Sequence, residues 1–339
     1  MKGRQIILDH LNGREAAALM VDGKLHDFLI DHDDAPRPGT IYRAIADRPM
    51  KGQGGMFLST PDGNVFLRQV KGLSPGQPLL VQVTGYADDG KAIPVTQKVL
   101  FKSRYAIVTP DAPGLNVSRS IKDEDLRDTL KGIAHSVMEE SEMGLILRSC
   151  CMPEEVEEIA EDITAMQAMA EAIMADGEGP AEKLADGDGP HVLAWREWIA
   201  PAEVVTEPGS FETHGVLDAL ETLSSERVTL GGGAFMFIEP TRALVAVDVN
   251  TGRDTSPASG LQANLAAARD LPRQLRLRGL GGQITIDVAP MSKKDRRIFE
   301  STLRSALKAD GVETVMVGWT PLGHFELQRK RDRLPFEGL

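Results

Sequence analysis

Residues 243–289 read ALVAVDVNTGRDTSPASGLQANLAAARDLPRQLRLRGLGGQITIDVA, and the periodicity of this stretch decides the fold. In ALVAVDVN, Val245, Val247 and Val249 fall on one side of a strand, while Leu244, Ala246, Asp248 and Asn250 fall on the other. A turn at Thr251-Gly252 leads into a helix-like run, LQANLAAARDLPRQLRLR. After Gly281-Gly282 a second strand follows, with Ile284, Ile286 and Val288 on the apolar side and Gln283, Thr285 and Asp287 opposite. Strand, helix and strand in this order predict a right-handed βαβ crossover with two parallel strands. Asp248 and Asp287 then lie near the carboxyl ends of their strands, the edge where open α/β sheets bind ligands. Two carboxylates with the Asn250 amide make a candidate site for a hard cation such as Mg²⁺. The intervening helix carries Arg269, Arg273 and Arg276 in an arc beside Leu265, Ala268 and Leu275, an arrangement suited to holding phosphates. Pro272 lies inside this helix, where proline predicts a kink. Ser292 with Asp295 predicts the start of a further helix whose first turns bear Lys293, Lys294, Arg296 and Arg297.

Upstream, RQIILDHLNGREAAALMVDGKLHDFLID reads as strands joined by turns at Asn12-Gly13 and Asp22-Gly23. Between the break at Pro36–Gly39 and about Pro110 come five short alternating runs, TIYRAIA, GMFLST, NVFLRQV, PLLVQVTGY and KAIPVTQKVLF. Their spacing predicts a five-stranded OB-type barrel. From Ser120 to about Gly189 the chain reads as helical and acidic, with methionines spaced as core filler in EEVEEIAEDITAMQAMAEAIM. ADGEGPAEKLADGDGP (residues 175–190) reads as an exposed linker. Its Asp186 and Asp188 lack the bidentate Glu of a calcium loop.

Composition narrows the class. At 339 residues, 26% charged and 42% hydrophobic, the chain has the make-up of a folded protein of two or three domains. No apolar run approaches a membrane span and the amino terminus meets Asp9 early, so a cytoplasmic location is expected. The only cysteines, Cys150 and Cys151, are neighbours, which disfavours a disulfide scaffold and structural zinc. A net charge of −12 argues against a polyanionic partner, but its distribution reverses that reading. Residues 121–188 hold 19 acids against 5 Lys and Arg, whereas residues 264–339 hold 14 Lys and Arg against 9 acids. Taken singly, such runs describe a solvated helix face.

The stretches MFIEPTRALVAVDVNTGR and NLAAARDLPRQLRLRGLGGQITIDV, followed by HFELQRKRDR, resemble the ribonuclease E/G family, and the likeness extends in order along the whole chain. The resemblance implies an α+β multidomain fold: an RNase-H-like amino-terminal part (1–35), an OB-fold RNA-binding domain (36–110), a 5′-sensor-like acidic helical region (111–188), a shortened RNase-H-like remainder (189–212) and a DNase-I-like α/β catalytic subdomain (213–339). It also implies Mg²⁺-dependent endonucleolytic cleavage of single-stranded, A/U-rich RNA, leaving 5′-phosphate and 3′-hydroxyl ends. The metal would be held by Asp248 and Asp287 with Asn250 in support. Phe66 and Lys91 match positions that stack on bases and meet the RNA backbone; the second stacking position falls on Met56, next to Phe57. Arg148 and Ser149, with Arg119 nearby, match the pocket that reads a 5′ monophosphate, and Ser103 stands where the family has glycine. Arg269, Arg273, Arg276 and Arg297 are expected to hold the strand near the metal.

The family's Cys-Pro-x-Cys zinc link does not follow RKRDR, so a zinc-linked oligomer is not expected. Two other classes compete with the nuclease. One is a non-catalytic RNA-binding or regulatory protein on the same scaffold; the other is a metal phosphohydrolase for a small substrate, which leaves the predicted barrel unexplained.

Overall fold

Asn12 and Gly13 take φ of 52° and 78°, and Asp22 and Gly23 take 49° and 76°. Two consecutive positive φ angles make the two-residue turn whose twist matches that of paired strands. These turns join β1 (Arg4–Leu11), β2 (Arg14–Val21) and β3 (Lys24–Ile30) into a meander. The computed structural model describes residues 3–50, 54–70, 72–87, 90–139, 141–254, 256–336 and 338. The chain is mixed α+β and divides into two units: Met1–Asn12, Ala16–Leu29 and Glu203–Leu339 in the first, Gly13–Glu15 and Ile30–Ala202 in the second.

In the second unit, β4 (Ile41–Met50), β5 (Gly55–Thr60), β6 (Gly63–Leu67), β7 (Pro78–Val83) and β8 (Ile93–Thr96) pair in the order β4-β5-β6-β8-β7. Pairing of β7 with β4 closes them into a five-stranded OB-like barrel. The five alternating runs of the sequence are these five strands. Tyr42, Met56, Leu58, Val65, Val81 and Val95 fill the interior. The buried Tyr42 satisfies its hydroxyl by donating to Asp62 Oδ2 at 2.6 Å, in the turn between β5 and β6.

Ahead of the region expected to be helical come β9 (Phe101–Lys102), β10 (Ala106–Thr109) and β11 (Leu115–Val117); the region itself holds α1 (Glu124–Met138) and α2 (Val156–Ala175) but is interrupted by β12 (Gly144–Leu147). The strands form a sheet in the order β11-β12-β10-β9. Leu130 and Ala134 of α1 and Ile159, Ile163 and Ala170 of α2 share one core with Val108, Leu145 and Leu147. GLIL is too short for its period to show as a strand against its helical neighbours.

The expected linker is a correction. Residues 182–185 form β13 (Glu182–Ala185), antiparallel to the first residues of β4 on the strand edge that β7 does not occupy. The cause is the buried Arg43, whose guanidinium donates to the Pro180 carbonyl at 2.7 Å and the Asp176 carbonyl at 3.0 Å and pairs with the carboxylates of Asp176 and Glu182. The carboxylates of Asp186 and Asp188 face Lys183 and Arg196. After α3 (Pro190–Glu197), Glu197 accepts from Lys102 Nζ at 2.6 Å and from Arg148 Nη2 at 2.8 Å.

In the first unit, β14 (Glu203–Val205) runs parallel to β1 and completes the sheet β14-β1-β2-β3. Two short helices, α4 (Ser210–Thr213) and α5 (Val216–Glu221), lead to a six-stranded sheet. Its elements are β15 (Arg227–Gly231), β16 (Ala234–Pro240), β17 (Val245–Asn250), α6 (Pro257–Leu277), β18 (Gly282–Asp287), α7 (Lys293–Asp310), β19 (Thr314–Trp319) and β20 (Phe325–Arg329). Strand order is β15-β16-β17-β18-β20-β19, with β17 and β18 parallel. Val247, Val249, Ile284, Ile286 and Leu327 pack with Ala267 and Leu271 of α6 and Phe299 and Leu303 of α7, so both helices cover one face. Helix α6 runs unbroken through Pro272, which forfeits only the bond to the Ala268 carbonyl. No helix among the described residues is long and apolar enough to cross a membrane.

Two outcomes follow for stability. A Cβ at Gly144 would overlap the Ala112 carbonyl oxygen and crowd Thr109; Gly144→Ala is expected to cost roughly 1–3 kcal/mol in urea unfolding, the cost of forcing backbone apart in a packed region. Glu197 balances burial, which raises its pKa, against Lys102, Arg148 and Arg196, which together hold it down to about 2. With the folded value below the ordinary 4.5, its contribution is present above pH 4.5 and is lost as pH falls through about 2. Unfolding followed across that window should show a shallower loss for Glu197→Gln than for the unsubstituted protein.

Candidate active site

The parallel pairing of β17 and β18 sets Asp248 directly opposite Asp287. Neighbouring strands lie about 4.8 Å apart, so the two carboxylates rise side by side. Because Val247, Val249 and Ile286 point into the core, strand alternation turns both aspartates to the face without helices, where both are exposed. Asn250, two residues along the same face, donates Nδ2 to Asp248 Oδ2 at 2.8 Å. The strand parity expected for Asp248, Asn250 and Asp287 is the parity found.

Three further residues lie near the site. The sequence does not single them out as site residues, although it predicts the turn at Gly252, and Asn264 and His324 open stretches that carry the family resemblance. Asn264, fully buried in α6, donates Nδ2 to the Ala289 carbonyl at 2.8 Å and accepts from the Ala289 amide at 2.9 Å. It thereby ties the backbone just beyond Asp287 to the helix. His324, in the turn before β20, places Nε2 3.9 Å from Asp287 Oδ1. Gly252 follows β17 with φ 72°, and its Cα lies so close to the Gly233 carbonyl that a side chain would collide with it. Asn264 hides as one polar residue in an alanine-rich helix, and His324 is a lone histidine in sequence.

The donor set suits a hard divalent cation. Mg²⁺ is commonly held by one or two carboxylates and completes its octahedron with water and substrate phosphate oxygens. Asp248 and Asp287 provide two such ligands on an open face, and the amide on Asp248 Oδ2 fixes that carboxylate's orientation. Among the described residues no group of three or more His, Cys, Asp or Glu could hold a metal, so the remaining ligands would be water or substrate.

The arginine arc of α6 divides. Arg269 is exposed, as is Arg297 of α7. Arg273 donates to Asp270 at 2.7 Å and to the Leu25 carbonyl at 2.7 Å. Arg276 is buried: it pairs with Asp310, approaches Asp27 Oδ1 at 3.2 Å and donates to the His26 carbonyl at 2.8 Å. Arg329 joins the same cluster through Asp310 at 2.7 Å. The expectation that Arg273 and Arg276 hold phosphates is therefore corrected. Both guanidiniums fasten α6 to β3, since a buried arginine keeps its charge only where carboxylates and carbonyls replace water.

In the barrel, Phe66 is half-buried and lies opposite Phe57 in the β5–β6 ladder, with ring centroids 5.2 Å apart. Gly55 makes room for the Phe66 ring, whose Cε2 would lie 2.7 Å from any Cβ there. Met56, where the second aromatic was expected, is buried in the barrel core; the outward ring belongs to Phe57, with Arg48 5.3 Å from its centroid. One step along a strand reverses the face, so the neighbouring residue occupies the surface position. Lys91 is exposed at the turn before β8.

In the region matched to a 5′ sensor, Ser149 and Arg119 are exposed. Arg148 instead turns inward, donating Nη1 to the carbonyls of Ser103, Arg104 and Arg196 at 2.7, 3.1 and 3.0 Å, besides its bond to Glu197. The Ser103 hydroxyl pairs with Asp162 of α2.

Comparison with known proteins agrees with this architecture. The sequence model of the Ribonuclease E/G family matches residues 101–197 and 193–332. The chain is 29% identical over 351 aligned positions to ribonuclease E of Nostoc sp. (strain PCC 7120), covering 86% of this chain and 51% of that protein. It is 28% identical over 297 positions to ribonuclease G of Salmonella typhimurium (strain SL1344), covering 76% and 60%. The chain thus spans between about half and three fifths of the length of these relatives. With the family match extending over more than half of its residues, and the paired aspartates lying inside it, the chain belongs to the ribonuclease E/G family.

Proposed function

We propose that this protein is an endoribonuclease of RNA processing or decay that requires Mg²⁺ and cleaves single-stranded, A/U-rich RNA to 5′-phosphate and 3′-hydroxyl ends. The observation that carries this reading is the in-register pair Asp248 and Asp287 on the open sheet face, with Asn250 fixing the first of them. The family membership and the names of the relatives support an endoribonuclease. On this reading the β1–β3 meander with β14 is the RNase-H-like part, the barrel is the RNA-binding domain, the β9–β12 region with α1 and α2 is the 5′ sensor, and the six-stranded sheet is the DNase-I-like catalytic part.

The chain's own residues have separable tasks. Asp248 and Asp287 hold the cation, Asn250 keeps the Asp248 carboxylate oriented, and Asn264 keeps the end of β18 in place. When bound, Mg²⁺ would polarise the scissile phosphate and lower the pKa of an attacking water. Arg269 of α6 and Arg297 of α7 are exposed on the helices of the opposite sheet face, and on this reading they would meet the RNA backbone away from the cation. Phe66, joined by Phe57, offers a stacking surface on the barrel, with Lys91 as a backbone contact. A 5′ phosphate would be met by the exposed Arg119 and Ser149, with Arg148 bracing the chain beneath them.

Cleavage of a 5′-monophosphorylated A/U-rich oligonucleotide, followed on a denaturing gel with Mg²⁺ and with EDTA, tests the reading. Asp248→Asn and Asp287→Asn should each lower the rate by at least about 100-fold, the several kcal/mol that a metal site contributes, while leaving RNA affinity within a few-fold. Binding without metal-dependent products in the unsubstituted protein would instead identify a non-catalytic RNA-binding protein.

A further inference from the structure

The ladder that pairs the two aspartates continues across the sheet. Arg227 of β15 lies opposite Phe237 of β16, and Phe237 lies opposite Asp248 of β17. One step away, Phe235 lies opposite Asn250. Ala234, Met236 and Ile238 point into the core, so Phe235 and Phe237 share the helix-free face with the carboxylates, and both remain partly exposed. Their rings meet edge to face with centroids 5.5 Å apart, and the Arg227 guanidinium lies 4.1 Å from the Phe235 centroid. The aromatic pair therefore stands one strand spacing, about 4.8 Å, from the proposed cation site.

Phe235 and Phe237 bury most of each ring but leave apolar area in water beside the charged carboxylates. A nucleobase removes that area from water. Every base presents a π-face, so stacking holds a strand without dictating its sequence, and a guanidinium beside the rings can stack on the same base or meet its phosphate.

Resting on the nuclease reading above, we infer that Phe237, with Phe235 and Arg227, is the platform on which the base flanking the scissile phosphate stacks, so that these residues position the RNA backbone over Asp248 and Asp287. They are positioning residues: they grip the substrate and do not touch the bond that breaks.

The test uses the full chain with Mg²⁺ and two RNA oligonucleotides, one intact and one carrying an abasic nucleotide beside the mapped cleavage position, placed on each side in turn. Phe237→Leu retains apolar bulk and removes the aromatic face; Phe237→Trp retains the face. The expected result is a fall in kcat/KM of roughly five- to a hundredfold for Phe237→Leu on intact RNA, the range a stacked base contributes. On one of the two abasic substrates the same substitution should change kcat/KM by less than about twofold, and Phe237→Trp should recover most of the activity. Equal rates for Phe237→Leu and the unsubstituted protein on intact RNA, or an equal loss on intact and both abasic substrates, overturns the platform. An independent readout separates this outcome from failure of the nuclease reading. RNA with 2-aminopurine at successive positions should be quenched by the unsubstituted protein at one position and regain fluorescence with Phe237→Leu. Quenching without any cleavage sinks the nuclease reading and keeps the platform, and cleavage without position-specific quenching does the reverse.

Discussion

The parallel pairing of β17 with β18 is the constraint on which the candidate site depends. An antiparallel neighbour can follow through a tight turn, but two adjacent parallel strands need a crossover, and α6 is that crossover. The helix buries Ala263, Ala267, Ala268, Leu271 and Leu275 against the sheet, and this burial fixes which side of each strand is left open. Once Val247 and Ile286 are inside, Asp248 and Asp287 are outside and adjacent. Two negative charges a strand spacing apart repel, by about 1 kcal/mol even at the dielectric of water, so their juxtaposition favours a cation between them.

Much of this was legible in the sequence because it depends on alternation, which is local. The parity of VAVDVN and of QITID sets the faces of both aspartates, and the hairpin dipeptides at Asn12 and Asp22 locate the first turns. The barrel strands likewise announced themselves through short alternating runs between turn residues. What the sequence concealed depends on contacts between distant residues. Arg269, Arg273 and Arg276 are equivalent by helical spacing, yet only their partners decide their tasks: Asp27 and Asp310, from other elements, take Arg276 into the interior while Arg269 stays in water. The 175–190 stretch has linker composition, but Arg43, more than 130 residues earlier, draws it into the barrel sheet.

Neighbouring residues exchange roles in the same way on the barrel surface. Alignment by family resemblance points to Met56, but the pleat gives the exterior to Phe57, whose ring then meets Phe66. Gly55 matters for a reason composition does not reveal, since its missing side chain is the space the Phe66 ring occupies. The aromatic surface is therefore set in place before any ligand arrives, and little side-chain freedom remains to be lost on stacking.

The parallel pairing of β1 with β14 has a further consequence for how this protein is made. Gln5 and Glu203 are 198 residues apart and are joined by a side-chain hydrogen bond of 2.8 Å. At ribosomal rates of 5–20 residues per second, β1 would wait on the order of 10–40 seconds for its partner strand to be synthesised. The barrel, whose strands all lie within the first hundred residues, has its whole sequence available well before that. Synthesis thus favours an order of events in which the barrel strands can pair before β14 completes the sheet that β1 begins.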